Sequence, residues 1–565
     1  MVAGALALAC PLAVAAQAGR TQVRCAGQVV TEVVVRTEAP SFGAGMDRFP
    51  WLERAVTRVH RTTSADVIRA LLVLKPGDRC TPLRRSESER LLLAMPFIAD
   101  ASVTAYPDGA GVRIEVVTVD EPQVVLDAGI KGVSPFVSRF TLGSANLLGN
   151  AVYASGQWRD GGFYRDVFAG RYTNYQLFAR PYQLDLRGGR RELGYDWSGQ
   201  VAFPFLTDVQ RVAWRLSTGG SQEYARFFRG GTRPASIAVR REFMEGSVIG
   251  RIGPSARMGL IGTQFSVEDV EPGQTPVVIT PGGIVADTTT ALMGRYAPFR
   301  SVRLNALLGF RRVRFRRVTG FDALNAPQDL RTGVQLSSTI GRSLPTSRGA
   351  SRGESYVGSE LYAGIAGART FAAIDADVEA RRSDTGDWND LVTNGRAAWY
   401  LRPHPRHLVT VDLSWSAVRD SRAPVQLTFA DRRGGLRGYH RSWLGGGSRV
   451  VARAEERWRI ANIRGSAAVG VAAFVDAGLI EANGSPLGVS SGWRQSVGTS
   501  LIVAAPARSQ RMWRVDFALP TDRSAGARFE LRLTSEDRTQ QFWRLPNDIR
   551  SARERVLPQS VFRWP

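Results

Sequence analysis

The sequence predicts a membrane all-β protein, a transmembrane β-barrel of about sixteen strands preceded by one small β-α-α-β-β domain. Two observations carry this. After Glu121-Pro122, segments of about ten residues alternate apolar and polar side chains, the pattern of strands with lipid on one face and water on the other. Mean hydropathy is −0.15 despite plentiful aromatics and 58 glycines, because such alternation dilutes hydropathy while leaving a continuous apolar outer band. Beyond the first residues no run approaches the length of an apolar membrane helix.

The elements follow in order. Residues 1–18 read as a secretory signal, with an apolar run from Val2 to Ala15 and Ala16-Gln17-Ala18 as a small-x-small cleavage site. A basic leading region is missing, so the translation start is expected upstream of Met1. Cys10 does not read as a lipidation site, since Ala7 stands where leucine is usual and Pro11 follows the cysteine. Cys25 and Cys80 either bond in an oxidising periplasm or remain separate thiols.

Residues 26–119 form the small domain. Val29 to Arg36 is β-branched and strand-like, and an insertion rich in Pro, Gly and aromatics follows. A helix starts at Thr63-Ser64-Ala65-Asp66, with Thr63 as cap and Asp66 completing a capping box. Pro76-Gly77 ends it. Thr81-Pro82 caps a second helix running to Ala94, and Ile98–Tyr106 with Val112–Val119 make a hairpin around Pro107-Asp108-Gly109.

The barrel spans residues 122–543. Val212, Trp214 and Leu216 oppose Arg211 and Arg215; Trp513, Val515, Phe517 and Leu519 oppose Arg514 and Asp516. Side chains alternate along a strand, so these charges share one face, costly in lipid and natural in a wet lumen. Between Leu304 and Phe315 the phase slips at Arg311-Arg312, through a bulge or at the bilayer edge. Residues 544–565 extend beyond the last convincing strand, Ala527 to Ser535; they hold either a final strand or an extension.

Formal net charge is +23, from 74 basic against 51 acidic residues, and only Lys75 and Lys131 are lysines. The arginines scatter along strands with no aromatic RNA-binding motif, so no nucleic-acid partner is expected. A basic lumen or attraction to anionic lipid is the expected consequence.

The densest signal lies between Gly434 and Gly478. A glycine-rich loop, Gly434-Gly435-Leu436-Arg437-Gly438-Tyr439, precedes Ala454-Glu455-Glu456-Arg457 and then Phe474-Val475-Asp476-Ala477-Gly478. By strand parity Arg453, Glu455, Arg457 and Arg459 oppose an apolar face, as do Phe474, Asp476 and Gly478, whereas Glu456 falls on the apolar side. Arg437 is then the natural partner of Glu455 and Asp476, since a guanidinium offers five fixed donors and keeps its proton.

These motifs carry a resemblance. Thr63–Asp78, Ser86–Leu92 and Pro96–Ala105 resemble a POTRA domain, in one copy. With the three motifs in order, and Asn146-Leu147-Leu148-Gly149 near the first strands, the chain resembles a short member of the BamA/TamA outer-membrane assembly superfamily. The resemblance implies a loop, Gly435 to Tyr439, folded back into the lumen, with Arg437 held by Asp476 and Glu455. Gly438 would allow close backbone approach, Tyr439 would pack on the inner wall, and Phe474 and Gly478 would line it. It implies a bacterial outer-membrane location, the small domain in the periplasm, and insertion or translocation of polypeptides by strand templating at the POTRA edge and barrel seam. Expected partners are outer-membrane lipid, unfolded client polypeptides and periplasmic or lipoprotein accessory subunits.

Two other functions are open to the sequence. A passive anion-preferring channel would use the Arg437 loop as plug. A barrel enzyme has little to draw on. Of His60, His404, His407 and His440, the pair His404 and His407 shares a proline-containing turn without the cysteine or carboxylate ligands a metal would want, Ser442 beside His440 lacks a third partner, and no nucleophile elbow occurs. No cofactor, metal or catalytic residue is expected.

Overall fold

Period-two alternation can bury polar groups and expose apolar ones only if the sheet closes on itself in lipid. A computed structural model describes residues 21–40, 60–130, 137–161, 164–255, 257–463, 465–537, 545–553 and Phe562. The expected signal at 1–18 and the insertion at 41–59 lie outside the described residues.

The N-terminal unit runs β1 (Val30–Glu38), α1 (Ala65–Leu71), α2 (Pro82–Leu93), β2 (Ile98–Asp108), β3 (Gly111–Asp120). Its sheet order is β1-β3-β2, with β1 parallel and β2 antiparallel to β3. Ile68 and Leu71 of α1 and Leu91 to Leu93 of α2 pack on Val103, Ile114 and Val116. Cys25 and Cys80, both buried, are joined in a disulfide with a Cα–Cα distance of 4.9 Å.

Two details of α1 correct the sequence expectation. Ser64, not Thr63, is the cap, its side chain accepting from the Asp66 N–H. Thr63 is buried instead, donating its N–H and hydroxyl to Asp120, each at 2.7 Å. The helix stops at Leu71, well before Pro76-Gly77, because Leu72 is extended. Thr81 and Pro82 open α2 as expected.

The wall begins with short strands: β4 (Val124–Ile130), β5 (Val137–Ser144), β6 (Val152–Arg159), β7 (Val167–Leu177), β8 (Tyr182–Arg191) and β9 (Gly194–Phe203). Longer ones follow, β10 (Val212–Phe227), β11 (Ala235–Ile252), β12 (Met258–Pro272), β15 (Phe299–Thr319) and β16 (Pro327–Ser343). Then come β17 (Ser355–Ala366), β18 (Thr370–Arg382), β19 (Trp388–Leu401), β20 (His407–Arg419), β23 (Ser448–Ile463), β24 (Ala467–Glu481), β25 (Arg494–Ala504), β26 (Arg511–Pro520) and β27 (Glu530–Asp537). Neighbours are antiparallel, and β27 closes on β4. The hairpin β13 (Val277–Thr280) and β14 (Gly283–Ala286) is an insertion, since β12 pairs directly with β15. Twenty of the twenty-two strands in the closed sheet therefore form the wall, where about sixteen were expected. The early wall strands β6 to β9 hold only 8 to 11 residues, so the same chain divides into more of them.

Polarity is inverted relative to a water-soluble fold. Leu126, Phe168, Trp197, Leu216, Met244, Ile261, Leu304, Trp399, Val475 and Phe517 point outward and are exposed. Inward charges are buried and paired, as in Arg215–Glu245 at 2.8 Å and Arg381–Asp390 at 2.7 Å. No described helix is long and apolar enough to cross a membrane. The phase slip in β15 contains no bulge, its register with β16 running unbroken. Its outward face changes instead from Leu304, Leu308 and Phe310 to Arg312, Arg314 and Arg316, as a strand does on leaving hydrocarbon.

The N-terminal unit seats on one barrel end. Arg317 of β15 reaches Glu89 and Asp100, and Glu121 accepts from Ser509 and Gln510. Asn146 donates to Thr63 at 2.7 Å and accepts from the Ala151 N–H, while Ser64 N–H donates to the Gly149 carbonyl. The Asn146–Gly149 motif is thus the turn that holds α1 to the wall. At the other boundary, β27 is the last strand among the described residues. The chain beyond it forms α3 (Asn547–Ala552), buried inside the barrel, and Phe562 packs within it on Phe205, Met258 and Leu307.

Candidate functional site

The loop between β20 and β23 rises from the end opposite the N-terminal unit and turns back into the barrel. A two-residue ladder of β21 (Leu427–Thr428) with β22 (Gly445–Gly446) pinches its neck. Inside, Asp431 caps the turn by accepting from the N–H groups of Arg433 and Gly434 at 2.8 and 2.7 Å. The Phe429 carbonyl accepts from Leu436 N–H and the Asp431 carbonyl from Gly435 N–H. A side chain at Gly435 would collide with those two carbonyls. Gly438 adopts φ +84°, which a glycine takes without strain, and its N–H donates to Glu530 at 2.8 Å.

That turn aims Arg437 at the wall. Its Nε and Nη2 donate to the two oxygens of Asp476 at 2.7 and 2.6 Å, a bidentate pair. Nη1 donates to Glu455 at 3.3 Å, and the guanidinium lies 3.4 Å over the Phe474 ring, close enough for cation–π attraction. Asp476 is fully buried. Leu436 and Tyr439 are buried against Phe429, Val451 and Ile480, and the Tyr439 hydroxyl donates to the Gln495 carbonyl at 3.1 Å. Gly478 leaves room for Phe429, whose ring would lie 2.7 Å from an added Cβ. The structure therefore brings together Gly435 through Tyr439 with Glu455, Phe474, Asp476 and Gly478.

Several partners escaped sequence reasoning. Arg514 donates to both oxygens of Glu455 at 2.9 and 2.6 Å and to Asp516 at 2.6 Å, and Ser500 donates to Asp516. Arg457 also reaches Glu455, at 2.5 Å. Arg453 donates to the Gly435 carbonyl at 2.6 Å. Three arginines, 437, 457 and 514, thus face three carboxylates, Glu455, Asp476 and Asp516. Such a network is tolerable at low exposure only when nearly every member is satisfied. The parity of β26, with Arg514 and Asp516 on the polar face, was the available signal.

The remaining sequence candidates sit elsewhere. Glu456 points outward and meets His407 at 3.2 Å, as its parity requires. His440 lies 3.6 Å from Glu530, and the Ser442 hydroxyl accepts from Leu444 N–H. Among the described residues no group of three His, Cys, Asp or Glu could hold a metal.

A wall apolar outside and charged inside, with a loop pinned inward by arginine, defines a membrane-spanning β-barrel with an internal latch. Residues 427–542, which hold the whole R-G-Y constellation, match the Omp85 superfamily domain. That stretch of the chain is therefore an Omp85 superfamily domain. No curated protein matches it by sequence. Among solved structures it is similar to BamA from Haemophilus ducreyi lacking POTRA domains 1–3, at 12% identity and TM-score 0.40, covering 89% of this chain and 84% of that one. It is also similar to CdiB from Acinetobacter baumannii, at 8% identity and TM-score 0.39, covering 90% and 74%. CdiB from Escherichia coli shows 11% identity and TM-score 0.35, covering 92% and 90%. At such values the family assignment rests on the sequence match.

Proposed function

We propose that this protein inserts or translocates polypeptides in the bacterial outer membrane, without an energy cofactor. The N-terminal unit acts as a single periplasmic POTRA domain, offering a sheet edge to an extended client, and the β4–β27 seam offers a second. Main-chain hydrogen bonds give sequence-tolerant affinity at such edges. The observation that carries the reading is the wall itself, which closes where β27 meets β4, on its short-stranded side. Shorter ladders hold that side, with β6 and β26 at 8 and 10 residues, than the side of β15 and β16, at 21 and 17. In the N-terminal sheet the outward carbonyls of Ala101, Val103 and Ala105 on β2 already accept from Arg317, Arg85 and Val23. Client pairing therefore falls to β1.

The test is photo-crosslinking in intact cells from Val34 and Arg36 of β1, with identification of the captured species. Unfolded outer-membrane or secreted polypeptides are expected, together with fewer of those proteins on depletion. Capture of no polypeptide, with an unchanged outer-membrane proteome and secretome, would overturn the reading.

The alternative, an anion-preferring channel plugged by the Arg437 loop, finds less support. Lumenal arginines such as Arg215, Arg381 and Arg437 are paired with lumenal carboxylates, which leaves little positive charge to select anions. Steady, anion-selective conductance in planar bilayers would reverse this preference.

A further inference from the structure

The segment after β27 occupies the lumen through contacts that resemble recognition more than filling. Asp548 accepts from two nitrogens of Arg449, at 2.5 and 3.1 Å, and from Thr428 N–H at 3.2 Å. Asn547 N–H donates to Asp431 at 2.9 Å, and Pro546 covers Gly434, 2.7 Å from where a Cβ would stand. Ile549 and Ala552 are buried with Val392, Val418, Val425 and Leu427. Arg241 donates to the main-chain carbonyls of Ser551 and Arg553 at 3.1 and 3.4 Å. Finally Arg553, only 3% exposed, meets Asp377 at 2.8 Å and Glu379 at 3.4 Å on β18.

The charges on this face are divided between wall and segment. Glu354 and Asp390 are answered from the barrel itself, by Arg422 at 2.9 and 3.1 Å and by Arg381 on Asp390 at 2.7 Å. Asp377 and Glu379 draw a close guanidinium from the inserted segment, and Arg449 draws its carboxylate from there too. Taking the segment out would remove a close guanidinium from Asp377 and Glu379 at one end and a carboxylate from Arg449 at the other, buried ion pairs whose loss costs more than that of a surface pair. Those two ends, with an apolar patch between them and Arg241 aimed at main-chain oxygens, read a polypeptide carrying an acid, an apolar turn and an arginine.

We propose that this lumenal face is a polypeptide-binding site for a segment of that pattern, and that residues 546–553 fill it as a ligand in cis. A client entering the lumen must then displace them. Only this last clause rests on the polypeptide-handling reading; the binding site stands without it.

The test uses detergent-solubilised barrel ending at residue 544 and a labelled synthetic peptide of residues 545–565. The shortened barrel should bind the peptide saturably, and the full chain should not. Arg553→Ala in the peptide, or Asp377→Asn with Glu379→Gln in the barrel, should weaken binding about thirtyfold or more. Equal binding of the wild-type and Arg553→Ala peptides, or equal uptake by full and shortened chains, would overturn the proposal. Should the shortened barrel not fold, the full chain with Val392→Cys and Ile549→Cys decides. A short bifunctional thiol reagent should join the two cysteines in most molecules, and Arg553→Glu should abolish the joining; no joining without that charge reversal defeats the proposal. Peptide binding as described, beside an unaltered outer-membrane proteome on depletion, would leave the site standing and remove the insertase reading.

Discussion

Two sides of the same wall differ more than their sequences suggest. Around the closing edge, β6, β8, β9 and β26 have 8 to 10 residues each, and opposite them β15 and β16 have 21 and 17. Both sides alternate apolar and polar residues, so both satisfy lipid and lumen. The long side adds ladder bonds, whereas the short side keeps fewer. In lipid an unpaired backbone group costs several kcal/mol, so ladder length sets how readily two strands separate. One wall can therefore be rigid on one side and openable on the other.

The largest expected effect comes from removing that difference. Cysteine pairs across the closing edge, Leu126→Cys with Leu531→Cys or with Leu533→Cys, should abolish client insertion when oxidised and restore it on reduction. The pair Leu308→Cys with Ser338→Cys, which face each other across β15 and β16, should leave insertion unchanged under the same treatment. Insertion of a reporter barrel into proteoliposomes checks both. Full activity with the closing edge locked would break the comparison.

Next comes the latch, which props the wall from within on the side of β23 to β26. Arg437→Ala strips Asp476 of its bidentate partner and should destabilise the docked loop by about 3–5 kcal/mol, the cost of breaking a buried pair. Protease sensitivity of residues 421–447 and an altered heat-modifiable gel shift report it. Arg437→Lys should recover only part, because an ammonium lacks the planar fork.

Smaller changes sharpen the picture. Gly435→Ala forces a methyl onto the Phe429 and Asp431 carbonyls and should cost about 1–3 kcal/mol of loop docking, measured by the same proteolysis. Asn146→Ala removes the tie between Thr63 and Ala151 and should cost about 1–2 kcal/mol. It should loosen the N-terminal unit, with faster amide exchange in α1 and unchanged exchange in β15.

Much of this was legible in the sequence because it obeys a local period. Parity alone put Arg453, Glu455 and Asp476 inward and Glu456 outward, and Thr81-Pro82 marked α2. Where long-range contacts decide, the local signal failed. Thr63 looked like a cap, yet Asp120 and Asn146 claim its hydroxyl, and Ser64 takes the role. The strand count ran low because 8-residue strands leave a weaker alternating signature than 21-residue ones. The segment from Asn547 to Arg553 was silent for a related reason. Its partners, Asp377, Glu379, Arg241 and Arg449, are spread over three distant strands and follow no spacing along the chain.

The placement of α3 also constrains biogenesis. The chain reaches it only after completing the final staves of the cask, yet the helix rests behind them. It can slip in sideways while the first and last staves are apart, or be fed through an open mouth once they have met. In the first route maturation is timed by the closing event, and a nascent molecule caught too early would keep this helix outside, accessible to a protease.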